Sequence, residues 1–128
     1  MFLTFNNQND RRKYGGTAFI ELQYCKMKPN TKIKKIVNKI QFWKDDSLYI
    51  SLDEIDNFFE YYSNIITGGT YSNLKTGAMD LSGVNYYSPE ITENIIKAIK
   101  KEKPKDYQVL LKWLGEVKNY NGFYCLGL

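Results

Sequence analysis

In this 128-residue chain, Asp80 is the side chain best placed for acid–base chemistry. It sits in the glycine-flanked stretch "GAMDLSG", with Asn85, Tyr86 and Tyr87 a few residues on. A carboxylate beside phenols and an amide can move protons. An aspartate in a turn has a simpler use, accepting a bond from a nearby backbone amide, and that reading is preferred here. The chain contains no histidine. It therefore lacks the usual general base near neutral pH, the commonest zinc ligand and the partner of a nucleophilic serine or cysteine. "GGTYSNLKTG" has glycines but not the order of a phosphate-binding loop, and "KDD" at 44–46 lacks calcium-loop spacing. The expectation is a protein that is not an enzyme and holds no cofactor or metal.

Binding is the alternative to catalysis, and eleven tyrosines offer a means. Tyrosine gives a large contact area for little entropy loss and is enriched at protein interfaces. Helical residues are needed for the core, which leaves the glycine-punctuated segment 69–87 as the expected partner-binding surface. Its strongest members are Tyr71, Asp80, Asn85, Tyr86 and Tyr87. Lysine is concentrated twice, at Lys26, Lys28, Lys32, Lys34, Lys35 and Lys39, and again from Lys97 to Lys105. Such clusters neutralise phosphates without reading sequence. Base readout leans on arginine, and only Arg11 and Arg12 are present. Nucleic-acid binding is expected to be weak and salt-sensitive, with a protein as the main partner.

The elements that must position these residues follow from periodicity. At 15.0 kDa the chain suits one domain with one core. "MFLTF" reads as a strand, "NNQNDRRKYGG" as a polar loop, and "TAFIELQYCKM" as a half-buried strand with Glu21 and Gln23 outward. Residues 32–43 fit a helical face or a strand, and the turn-like "WKDDS" favours strands near 36–43 and 47–50. Ser51 and Glu54 have capping-box spacing before an apolar helical face running to Ile66. Ser88 and Pro89 open a second helix, and Pro104 begins a third. The final "FYCL" is apolar without alternation, as a strand covered on both faces would be. The fold expected is α+β, a mainly antiparallel sheet of four to six strands packed on one side by three helices.

Cys25 and Cys125 lie in apolar strand-like runs and read as buried free thiols. No stretch suits a secretory signal or a membrane span, so a cytoplasmic location is expected. The surplus of Lys, Asn, Ile, Tyr and Phe follows A/T-rich codons, which points to a low-GC bacterium or its phage.

The C-terminal half, "GVNYYSPE…IIKAI…KP…LLKWL…YNGFYCLGL", resembles small single-domain proteins of low-GC bacteria, some of them encoded beside polymorphic toxins as immunity proteins. The resemblance spans about residues 68–128 and lies in the overall pattern, with no catalytic residue to carry over. It implies a protein that inhibits a toxin or a defence protein by occlusion. Many inhibitors of nuclease toxins are acidic, whereas this chain has a net charge of +4, which implies a target other than a nuclease.

Overall fold

The computed structural model describes residues 1–128. Seven strands form one sheet: β1 (Phe2–Leu3), β2 (Phe19–Tyr24), β3 (Leu48–Ser51), β4 (Gly69–Thr70), β5 (Thr76–Gly77), β6 (Val84–Tyr87) and β7 (Phe123–Leu126). Their order is β1-β3-β2-β7-β6-β4-β5, and every pairing is antiparallel. Five helices accompany it: α1 (Gln8–Gly15), α2 (Ile33–Asn38), α3 (Ile55–Tyr62), α4 (Pro89–Glu102) and α5 (Tyr107–Gly115). The domain is α+β. The strand number exceeds the expected range because three strands are only two residues long.

The apolar "FYCL" is the middle strand, bonded to β2 on one side and β6 on the other, and all four residues are buried. Gly122 makes the entry turn with φ +83°, where a Cβ would lie 2.0 Å from the Tyr87 carbonyl oxygen. Only glycine fits there.

One face of the sheet carries Ile20, Leu22, Ile50, Tyr87, Phe123 and Cys125, and α3, α4 and α5 cover it with Phe58, Ile95, Ile99, Leu110 and Leu114. The start of α4 follows the predicted chemistry. Ser88 accepts a bond from the Ile91 amide at 3.3 Å, and Pro89 occupies the first turn. At Ser51 the expected reciprocal box is incomplete: its hydroxyl takes the Asp53 amide at 3.4 Å, while Glu54 accepts from Asn57 at 2.9 Å instead. Helix α5, expected from Pro104, begins at Tyr107, after a turn in which Lys103 and Asp106 take left-handed backbone.

The second face is where the structure departs from expectation. β2 is buried along its whole length, Glu21 and Gln23 included. Residues 36–43 form no strand. They provide the end of α2, whose Ile36 and Val37 pack on Tyr86, Tyr124 and Leu126, and then an irregular strap that crosses the sheet to β3. The "NNQNDRRKYGG" stretch is helical rather than a loop, because Asn7 accepts a bond from the Asp10 amide at 2.9 Å and caps it. Helices therefore lie on both faces rather than one, and the sheet is a middle layer.

Candidate functional site

Glu21 organises the strap. Its carboxylate is 1% exposed and accepts bonds from the amides of Trp43 and Lys44, each at 2.9 Å, and from the Ser47 hydroxyl at 2.6 Å. Gln23 donates to it at 3.2 Å and to the Gln41 carbonyl at 2.8 Å. Two consecutive amides converge on one carboxylate because Trp43 has left-handed backbone, φ 70°. Such a turn makes a concavity for an anion, here supplied by the chain itself. Left-handed backbone at a bulky residue costs on the order of 1–3 kcal/mol. The charge-assisted bonds to Glu21 offset that strain.

Further anchors hold the strap at its sides. The Tyr49 hydroxyl donates to the Lys44 carbonyl at 2.5 Å, and the Trp113 indole donates to the Asp46 carbonyl at 2.9 Å. Gln8 donates to Asp45 at 2.7 Å. Burial, helped by the nearby Glu21 charge, pushes the Tyr49 phenol up to about 12, so it serves as a neutral donor. Arg11, buried on α1, lies 4.1 Å from the centre of the Trp43 ring and bonds Gln8 and the Gly16 carbonyl. The Trp43 ring is also nearly parallel to that of Tyr49, with centres 6.2 Å apart.

What this scaffold presents is an apolar cleft of about 420 Å³, lined by Thr17, Phe19, Phe42, Trp43, Gly127 and Leu128. Phe42 is 47% exposed beside it. Tyr14, 61% exposed, stands close by and packs on Phe19, with ring centres 6.0 Å apart. A large apolar ring held in water on a rigid support is the usual form of an interface anchor. A hollow of about 470 Å³ lies between α4 and the end of α5, but Glu93, Lys100 and Lys118 contribute to its lining and none of the strongly exposed aromatics does.

The residues expected from the sequence are disposed differently. Tyr86 is 4% exposed and donates to the Asn121 carbonyl at 2.7 Å, so it belongs to the second-face core. Tyr87 is wholly buried on the opposite face, stacked on Phe123 with centres 4.8 Å apart. Asn85 is buried too, bonding the Asp80 amide at 2.8 Å, the Asp80 carbonyl at 2.7 Å and the Cys125 carbonyl at 3.0 Å. These three corrections have one cause: β6 is an inner strand, covered on both faces. Tyr71 and Asp80 remain nearer the surface, each committed to local structure. Tyr71 donates to the Ala78 carbonyl, and the Asp80 carboxylate accepts from the Ser82 amide at 2.9 Å, the turn bond preferred on sequence grounds.

Glu21, Phe42 and Trp43 escaped the sequence reading because Glu21 fits the polar side of an alternating strand and Phe42 fits a strand at 36–43. The available signal was "QFWKDD", two large aromatics directly against charge. Both cysteines are buried and unbridged, and burial raises the Cys125 thiol to about 12, making it unreactive. No helix is long and apolar enough to cross a membrane. No group of three or more Cys, Asp or Glu side chains is arranged to hold a metal ion. Comparisons with family models, curated proteins and solved structures find no match for this chain.

Proposed function

We propose that this chain is a non-enzymatic binding protein that inhibits a protein partner by covering part of its surface. The observation behind this reading is the strap: Phe42 stands in solvent on a segment that a buried carboxylate and several side-chain bonds hold in place. A preorganised aromatic anchor loses little entropy on binding, which favours tight association. An immunity or counter-defence role in the cytoplasm agrees with this, since two unbridged thiols suit a reducing compartment.

Affinity capture from the source organism tests it, using the unaltered chain and Phe42→Ser in parallel. One protein should be retained in near-equal amount by the unaltered chain, with its activity suppressed in the complex. Truncation of a central anchor costs about 2 kcal/mol or more, so Phe42→Ser should weaken retention by about thirtyfold. Equal retention by both, or a captured partner whose activity is unaffected, overturns the reading.

A further inference from the structure

Charge is divided unevenly along the chain. Residues 1–50 contain ten basic and four acidic side chains, and residues 51–128 contain eight and ten, giving +6 and −2. The extreme is residues 26–44, with seven lysines and no aspartate or glutamate. This stretch supplies α2 and most of the strap, so the lysines of those two segments lie on the same side of the sheet as Phe42.

On the other flank of the strap from the aromatic cleft is a pocket of about 270 Å³. Gln23, Lys26, Lys39, Gln41 and Lys44 provide its polar lining; Met27, Ile40 and Tyr124 contribute apolar wall. Lys26 is paired with Asp46 at 2.6 Å. The Lys39 and Lys44 ammonium groups have no carboxylate partner, and that of Lys44 donates only to the Gln41 side-chain carbonyl at 3.3 Å. Two uncompensated ammonium groups at the rim of an apolar-walled hollow suit a carboxylate carried on a short aliphatic stem.

The geometry points to this pocket as a socket for an acidic side chain, aspartate or glutamate, on the protein partner, docking beside the Phe42 anchor. This deepens the function proposed above and rests on it for the identity of the occupant. A nucleic acid fits less well. Arg11 is buried and engaged, and the Trp43 ring already packs with Arg11 and Tyr49 rather than offering a free stacking platform. Electrostatic complementarity of this kind fixes register and raises the association rate.

The test uses the full chain with poly-L-glutamate as probe, oligothymidylate as the competing polyanion, and two variants of equal charge. Lys39→Gln with Lys44→Gln alters the socket; Lys97→Gln with Lys101→Gln alters exposed lysines of α4. Thermal melts check that both remain folded. In about 0.15 M salt, amide shifts induced by poly-L-glutamate should cluster at Gln23, Lys39, Gln41 and Lys44. The socket variant should lose about tenfold in affinity and the α4 variant less than about threefold. Equal losses in the two variants, shifts centred elsewhere, or no binding at all overturn the socket. Tighter binding of oligothymidylate through the same residues assigns the surface to nucleic acid and also overturns it. Because the probe is not the captured partner, a failed socket leaves the Phe42 result standing, and a failed capture leaves this titration independently readable.

Discussion

Replacing Glu21 should release the strap while leaving the sheet assembled. Glu21→Ala removes the acceptor used by the Trp43 and Lys44 amides at 2.9 Å and the Ser47 hydroxyl at 2.6 Å. A buried donor left without a partner costs about 1–3 kcal/mol. Three such donors set a ceiling of about 9 kcal/mol, but the strap has no regular structure and can open to water, rehydrating them. The net expectation is a loss of about 3–5 kcal/mol. Glu21→Gln keeps the volume and one acceptor oxygen, and should lose about 1–2 kcal/mol. Urea unfolding gives the totals, and amide exchange locates them: Trp43 and Lys44 should exchange far faster, while the central pairs between β2 and β7 keep most of their protection. Unchanged exchange at Trp43 and Lys44 in Glu21→Ala, with an unchanged urea midpoint, would refute the view that this carboxylate holds the strap.

Alkaline pH should unfold the protein cooperatively. Burial is the leading cause of raised phenol values at Tyr24, Tyr49, Tyr62, Tyr86, Tyr87 and Tyr124. In the unfolded chain these groups ionise near pH 10, so their contribution is intact below about pH 10 and lost as pH rises towards the folded values. At about pH 11 each loses about 1.4 kcal/mol, or about 8 kcal/mol for the six, comparable to the stability of a whole domain. The part of the tyrosinate absorbance due to these six phenols should therefore rise together with loss of circular dichroism; ionisation of all eleven tyrosines without unfolding would contradict this. The Tyr87 hydroxyl is buried without a hydrogen-bond partner, so Tyr87→Phe should leave stability unchanged or raise it by up to about 1 kcal/mol. Tyr87→Ala should lose about 3–5 kcal/mol, and a loss below about 1 kcal/mol would show that the ring is not a core member.

Most of the frame was legible in the residues. Ser88 and Pro89 announce α4, and the unbroken "FYCL" announces an inner strand, because a helix cap and two-sided burial are local or compositional signals. The second face was not legible. Alternation at Glu21 and Gln23 shows that one side of β2 is polar, but it is silent on whether water or protein meets that side. Here protein does, in the form of a strap whose own residues up to 43 read as a strand. Helix α1 was hidden for a related reason: its buried member is Arg11, so no apolar stripe marks it. The candidate site falls where these gaps lie. Subtracting helical residues led to segment 69–87, yet Tyr86 and Tyr87 fill opposite cores from neighbouring positions on one strand.

The central claim is that the strap beside Phe42, rather than the β4–β5 hairpin and the turn after it, is where a partner sits. Hydrogen exchange of the chain alone and in complex with its captured partner tests this most directly. The account predicts new protection at Thr17 and residues 40–42, with residues 71–80 unchanged. Protection confined to residues 71–80, with the strap exchanging as in the free chain, would contradict it.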